Sequence, residues 1–408
     1  MTSTVYIAKT VYGGDGLGRL GDGRVVFVPG AFAGENVKAE IVEEKKHFVK
    51  ARLVEIVEAS PDRIGTGPQP IPGMVYSNLA YAAEERTKAE QLADFFARAR
   101  IPLKAPPALI ARAEIANPLA PCYRNKVVYH FAKTKKGEWK IGYREEPSHE
   151  IVDIAFDPLA RPEINAALPE VRKAVLTLLT QGPVGVRKET ERKGNVTIRW
   201  SERTGVKWWV GDAPGGVVIK ETTAGKVFEV PSDGFYQVNP VQGDALVRAV
   251  VADYLKNVDA APDLLDLYCG VGVFGLCCRT AAGAKAGRLT GIESGRQAID
   301  FAKRNAVQLG AADARFFAEE VGRNLRRISV GARTTVVVDP PRGGLEPRGP
   351  EWLAQSRAPR IFYVSCDPAT LMRDLRVLVR GYEVESVRWI DMFPRTARFE
   401  TLVALRRR

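Results

Sequence analysis

The residues with the most chemical potential in this chain stand in a few short segments. Ser365-Cys366-Asp367-Pro368 presents a thiol followed by an acid and a proline. Asp suits a helix N-cap and Pro the first helical position, so Cys366 is expected at a strand end beside the positive end of a helix, which favours thiolate. The bland alternative is a buried, inert cysteine, the role assigned to Cys269, Cys277 and Cys278. Asp339-Pro340-Pro341-Arg342 presents a carboxylate on a loop stiffened by prolines. A buried acceptor there takes the N3–H of a uracil and rejects cytosine, which would leave two acceptors facing each other. The plain alternative is an Asp that caps a turn. Arg398-Phe399-Glu400 presents a further carboxylate, which in isolation reads as a surface charge. Gly270, Gly272 and Gly275 follow an apolar run and satisfy G-x-G-x-x-G, and Glu293 ends the next apolar run. Such a turn lets a ligand approach the backbone closely, and an acid at that place accepts from ribose hydroxyls. By itself it fits NAD and S-adenosylmethionine equally.

These groups need elements that position them. From about residue 236 strand and helix patterns alternate, which predicts a parallel sheet. Strands are expected at 264–268, 288–293, 315–317, 335–339, 361–365, 383–389 and 401–405, and helices at 240–255, 296–309 and 369–379. If the last strand is antiparallel, its beginning lies at the edge where the others end, and Asp339, Cys366 and Glu400 converge on one rim. Open α/β sheets bind ligands at that rim. Residues 1–60 read as short strands at 6–11, 24–28, 36–42 and 48–57, broken by Gly13-Gly14-Asp15-Gly16 and Gly21-Asp22-Gly23, which suggests a small β-barrel. A loop at 65–73 and a helix at 84–99 follow. Residues 121–235 are strand-rich and mixed, with strands expected at 123–133, 139–143, 196–201 and 207–210. The domain division expected is 1–60, 61–235 and 236–408.

Composition narrows the class. The 408 residues, 45% hydrophobic, carry 60 Lys and Arg against 48 Asp and Glu, a formal charge of +12. That excess fits a polyanionic partner, nucleic acid before an acidic membrane. The N-terminal residues show no basic stretch followed by an apolar core, and no apolar run approaches the ~18 residues of a membrane span. The five cysteines are irregularly spaced and form no C-x-x-C pair, which points to a reducing cytoplasm and away from disulfides, zinc and iron–sulfur clusters. The densest basic stretch comprises Arg124, Lys126, Lys133, Lys135, Lys136, Lys140 and Arg144, with Tyr123, Tyr129, Phe131, Trp139 and Tyr143 interleaved. That composition suits a base-stacking groove or, equally, an ordinary amphipathic sheet with a solvated face.

The sequence resembles the RNA uracil-5-methyltransferase family. The likeness rests on Phe235-Tyr236-Gln237-Val238-Asn239-Pro240, on DLYCGVG at 266–272, DPPRGGL at 339–345 and SCDPATLMRDL at 365–375, and on DMFP at 391–394 with Glu400. Residues 1–60 resemble the TRAM domain, an RNA-binding barrel of the rRNA-modifying branch. The resemblance implies an α/β fold: a Rossmann-like class I methyltransferase domain, an N-terminal TRAM/OB-like barrel and a mixed, strand-rich central domain. It implies S-adenosylmethionine as cofactor. It further implies Cys366 as nucleophile and Glu400 as general base, with Gln237, Tyr268, Glu293, Asp339 and, more weakly, Glu320 contacting cofactor or base. Arg342, Lys133 and Lys135 join Asp339 as candidates for holding RNA. The implied partner is RNA, rRNA before tRNA, and the expected state is a monomer with no membrane contact.

There are departures. Many members bind a 4Fe–4S cluster through cysteines just after the TRAM domain, but residues 65–75 contain none, and Asp157 stands near the place of the fourth ligand. No cluster is expected. Arg398 replaces the His that usually stands two residues before Glu, and Arg395 also differs from the usual residue. Two rivals remain: an NAD-dependent oxidoreductase, which explains neither Cys366 nor Glu400, and a non-catalytic RNA-binding protein.

Overall fold

The computed structural model describes residues 2–145, 148–181, 193–324, 328 and 330–408. The first strands, β1 (Thr2–Thr10), β2 (Asp15–Arg19), β3 (Val25–Pro29), β4 (Asn36–Glu44) and β5 (Phe48–Glu58), close into a barrel in the order β1-β2-β3-β5-β4. Alternation turns Val5, Ile7, Val26, Val28, Val37, Ala39, Val49 and Ala51 inward. The sequence reading treats Gly13–Gly16 as a break, yet β2 starts there. Its Gly16 and Gly18 are buried, and a Cβ at either would run into the backbone carbonyl of Ala31 or Tyr6. Glycine fills the inward positions, so a pattern built on apolar side chains does not register the strand.

Helix α1 (Tyr81–Ala99) begins at Tyr81 rather than Glu84. It buries Leu92 and Phe96, as the apolar spacing requires, and also Glu84 and Lys88. The Lys88 ammonium donates to Glu84 and to Asp391, both at 2.7 Å. Arg395 donates to the other Glu84 oxygen at 2.8 Å and to the Leu79 carbonyl at 2.7 Å. Two buried cations thus meet two buried anions, which offsets the loss of hydration. This network ties α1 to the loop before the last strand.

After β6 (Ala108–Leu109) comes a five-stranded antiparallel sheet. Its members are β7 (Lys126–Lys133), β8 (Trp139–Arg144), β9 (Ile151–Asp153), β10 (Lys193–Ser201) and β11 (Gly205–Val210), in the order β11-β10-β7-β8-β9. Helix α2 (Pro162–Gln181) covers one face. The helix escapes the sequence reading, since Pro169 within it reads as a break. The base-stacking reading of the aromatics is corrected here. Tyr123, Tyr129 and Phe131 are buried beneath α2, with Trp139 and Tyr143 packed against the same core. Alternation along β7 sends its aromatics inward and leaves Lys133 exposed. The Tyr129 and Tyr143 hydroxyls both donate to Asp157, at 2.9 and 2.7 Å. A hairpin absent from the sequence reading, β12 (Val218–Thr223) and β13 (Lys226–Pro231), leads to the C-terminal half.

That half contains α3 (Pro240–Leu255), β14 (Asp263–Leu267), α4 (Val273–Ala282), β15 (Leu289–Glu293), α5 (Arg296–Gln308), β16 (Arg315–Ala318), α6 (Val321–Asn324), β17 (Thr334–Val338), α7 (Gly349–Gln355), β18 (Arg360–Ser365), α8 (Pro368–Leu378), β19 (Tyr382–Ile390) and β20 (Glu400–Arg407). They build one sheet ordered β16-β15-β14-β17-β18-β20-β19-β6. Strands β14 to β18 are parallel, and β20 is antiparallel to both neighbours. Strand β17 is buried at every residue, as a strand covered on both faces must be. The order reverses between β14 and β17, which opens a crevice at their carboxyl ends.

Lys88→Met removes one buried cation, takes the ion-pair partner from Asp391 and leaves Glu84 with Arg395 alone. The expected loss is about 3–5 kcal/mol of stability, measured by denaturant unfolding. Wild-type stability in this variant would show that the network does not hold the loop.

Candidate active site

The glycine turn forms the floor of the crevice. Strand β14 runs into Tyr268, which adopts φ 62°, and then Gly270 and Gly272 at φ 53° and 87°. A non-glycine residue in that region stores strain, a common device at ligand sites. Apart from its own chain neighbours, no atom of the described residues lies within 4 Å of where a Cβ on Gly270 would stand. Gly275 is needed for a different reason: a Cβ there would come within 2.8 Å of the Asp266 carboxylate, which accepts from the Gly275 amide at 2.8 Å. Above the turn lies a cavity of about 590 Å³, its open mouth included, lined by Phe235, Gln237, Tyr268, Gly270, Phe274 and Asp339 among others.

The sequence-derived residues distribute unevenly around this cavity. Gln237, Tyr268 and Asp339 line it. Tyr268 turns its hydroxyl to Glu346 at 2.6 Å, so its ring faces the cavity without a free donor. Glu293 is not part of the lining; it stands against the glycine turn, accepting from the Gly270 amide at 3.4 Å and the Gly295 amide at 2.8 Å. Glu320 is exposed, pairs with Arg323 at 2.6 Å and is not part of the lining. An open glycine, an acid at the end of β15 and an apolar wall fit an adenosyl ligand with a ribose, S-adenosylmethionine included. Among the described residues, no group of three or more His, Cys, Asp or Glu side chains is placed to hold a metal ion.

The second half of the site is assembled by sheet register. Strands β18 and β20 pair Val364 with Leu402 and Ser365 with Thr401. Continued one step, the ladder sets Cys366 across from Glu400. Glu400 is 4% exposed. Among the described residues, no group donates a hydrogen bond to its carboxylate or to that of Asp339. Carboxylate oxygens without a protein donor are left to accept from a ligand. Burial pushes the Asp339 carboxyl up to about 7. Burial, reinforced by Asp339 and opposed by Arg342, holds Glu400 well above the usual carboxylate range.

The same environment corrects the expectation for Cys366. Burial, then the Glu400 and Asp339 carboxylates, push its thiol up to about 12, with Arg342 opposing. The helix end beside it is already satisfied: Asp367 accepts from the Ala369 and Thr370 amides at 2.9 and 3.2 Å. The resting residue is therefore a thiol, because burial and two carboxylates outweigh Arg342.

The loop before Glu400 accounts for the two departures from the family pattern. Arg395 is buried, with φ 70°, and belongs to the Lys88 network. Arg398 donates to Asp367 at 3.2 Å and to the Tyr12 hydroxyl at 2.8 Å. Sequence reasoning passed over Tyr12 and Lys88, which reach Arg398 and Asp391 across hundreds of positions. It also assigned no role to Phe235, 75% exposed at the cavity mouth, although the residue sits inside a quoted motif.

Residues 222–408 match the family model described as tRNA (uracil-5-)-methyltransferase, and residues 2–54 match the TRAM domain. A relative from Streptomyces avermitilis, named an uncharacterized RNA methyltransferase, is 31% identical over 98% of this chain and 97% of its own length. Another so named, from Gloeobacter violaceus, is 30% identical over 100% of this chain and 96% of its own. The chain belongs to the RNA uracil-5-methyltransferase family. It is an S-adenosylmethionine-dependent RNA methyltransferase with an N-terminal TRAM domain. The methyltransferase shares its fold with the Pyrococcus abyssi tRNA (uracil-54, C5)-methyltransferase, solved in complex with S-adenosyl-L-homocysteine. The TM-score is 0.74 at 23% identity, over 98% of this chain and 99% of that one. No helix among the described residues is long and apolar enough to cross a membrane.

The raised carboxyl of Asp339 makes a signed prediction. Its folded value, about 7, lies above the unfolded value of roughly 3.9. Its contribution to stability is thus complete below pH ~4 and is lost as pH rises through 7. Asp339→Asn should leave the melting temperature of the ligand-free protein nearly unchanged at pH 4. It should raise that temperature relative to wild type increasingly toward pH 8. A difference independent of pH would show that Asp339 is ionised at little cost.

Proposed function

We propose that this methyltransferase methylates C5 of a uridine in RNA, rRNA first and 23S rRNA in particular, through a covalent adduct between Cys366 and C6 of the base. The observation that carries the reading is the convergence of Asp339, Cys366 and Glu400 on one rim, with neither carboxylate accepting from a donor among the described residues. C5 of uracil is a poor nucleophile. Loss of the thiol proton to solvent and addition of the Cys366 sulfur to C6 push the C5–C6 electron pair toward O4 and make C5 electron-rich. S-adenosylmethionine, when bound, supplies the methyl group as a sulfonium-activated electrophile. Glu400 then takes the remaining C5 proton, the C5–C6 double bond re-forms, and Cys366 leaves as thiolate. Asp339 accepts the N3–H of the base, which selects uracil over cytosine. Arg342 favours the anionic forms of Cys366 and Glu400, both of which it lowers. Gln237, Tyr268, Glu293 and Gly270 hold the cofactor, with Glu320 at most at its margin. Phe235, exposed beside the cavity, offers a ring on which an unstacked base can lie.

Residues 1–60 and 61–235 are assigned to holding RNA and 236–408 to catalysis. Lys133, Lys135, Lys136, Lys140 and His149 line one concavity at the end of the β7–β8 hairpin, which suits a phosphate backbone. The free thiols suit a reducing cytoplasm, and the working unit is a monomer. A tRNA uridine is the second reading, favoured by the full-length fold shared with the Pyrococcus abyssi enzyme. Mapping 5-methyluridine in rRNA and tRNA from cells with and without the gene separates the two.

Replacing Lys133 and Lys135 by Ala should weaken RNA binding and reduce the slope of log affinity against log salt by up to about 2. An unchanged slope would place the RNA elsewhere.

Glu400→Gln keeps the size of the side chain but cannot accept a proton at neutral pH. The variant should form the adduct and transfer the methyl group, then stall, with turnover reduced by about 10²–10⁴. Denaturing gels with labelled cofactor should show a protein–RNA band that carries the label and is absent in Cys366→Ala. Parallel loss of band and product would remove Glu400 from proton abstraction.

A further inference from the structure

One guanidinium joins the barrel to both sides of the reacting pair. Arg398 stands two residues before Glu400, and its Nη1 donates to Asp367 Oδ2, beside Cys366, and to the Tyr12 hydroxyl. Asp367 is held from both ends, since its Oδ1 caps α8. Tyr12 belongs to the turn after β1. Its ring meets Phe95 of α1 edge-on at 5.5 Å and Phe399 at 5.9 Å. Two further contacts fasten the barrel to α1: Gln91 donates to the Thr10 carbonyl at 3.0 Å, and Lys9 pairs with Asp94 at 2.6 Å. The turn that carries Tyr12 is therefore anchored to a helix, and Arg398 reaches from the base-bearing segment to that anchored point.

We propose that Arg398 is a positioning residue: by bridging Tyr12 of the barrel and Asp367, it fixes Cys366 relative to Glu400. The proposal rests on the covalent reading above. Displacement of a reacting group by about 1 Å costs about 10²-fold in rate, so a half-buried ion pair of modest intrinsic strength gains leverage through the atom it places. The bridge also makes the barrel part of the catalytic geometry rather than a tether alone. Tyr12→Phe is the sharpest variant, because it keeps the ring between Phe95 and Phe399 and deletes only the acceptor for Arg398.

The test uses the full-length protein, S-adenosylmethionine and total RNA from cells that lack the gene and were grown with 5-fluorouracil. Fluorine at C5 cannot leave as a proton would, so the methylated adduct persists on a denaturing gel. The single-turnover capture rate at saturating RNA should fall about tenfold in Arg398→Gln and about threefold in Tyr12→Phe. The double variant should be no slower than Arg398→Gln, because both changes cut one bridge. Half-saturating RNA should stay within about twofold of wild type, and Arg398→Lys should recover part of the rate. Wild-type capture rates in Arg398→Gln and Tyr12→Phe, or a loss confined to half-saturation, would overturn the proposal and leave the covalent reading standing. If the wild type itself captures no RNA, the covalent reading falls and takes this proposal with it.

Discussion

The antiparallel pairing of β20 with β18 is the constraint on which the site depends. A parallel β20 would deliver Glu400 to the opposite edge of the sheet, a full strand length from Cys366. Because the two strands run oppositely, the residue after Ser365 and the residue before Thr401 meet. The register is secured by what lies along it. Ile361, Phe362, Tyr363 and Val364 of β18 and Leu402, Val403 and Leu405 of β20 are all buried. A slip by one residue would exchange the sheet faces of every one of them and turn Glu400 away.

Burial that secures the register also sets the chemistry. Asp266, Asp339 and Glu400 are held above the usual carboxylate range chiefly by desolvation. The ligand-free crevice is thus a place where ionised acids are costly, and the Cys366 thiol is held up by the same cause. Partners that supply donors and positive charge reverse that balance, which couples the state of the reacting groups to occupancy. Stability withheld here is matched elsewhere by buried ion pairs, of which the Lys88, Glu84, Asp391 and Arg395 network is the clearest.

The RNA-facing parts follow different physics. The barrel is small and filled by its own alternating residues, and the central sheet spends its aromatic side chains on the core beneath α2. What remains for a polyanion is charge at the edges, as at the β7–β8 end. In the proposed reading, recognition of RNA and chemistry on the base are carried by separate elements, linked through α1 and the loop before β20.

Local sequence determined what depends on near neighbours. The glycine turn, the Asp367-Pro368 helix start and the runs of buried strand in the catalytic half are legible because dihedral preference and short-range periodicity act over a few residues. The family motifs placed Cys366, Asp339 and Glu400 at element ends for the same reason. Tertiary structure alone decided the rest. Strand β2 is hidden because close backbone approach selects glycine, not an apolar side chain. The facing of Tyr129 and Phe131 depended on where α2 docks. The state of Cys366 depended on carboxylates brought in from the end of β17 and from β20, and Tyr12 and Asp391, partners of Arg398 and Lys88, lie hundreds of residues from them. Electrostatics and packing respond to distance in space, and a linear chain does not reveal that distance until the sheet is assembled.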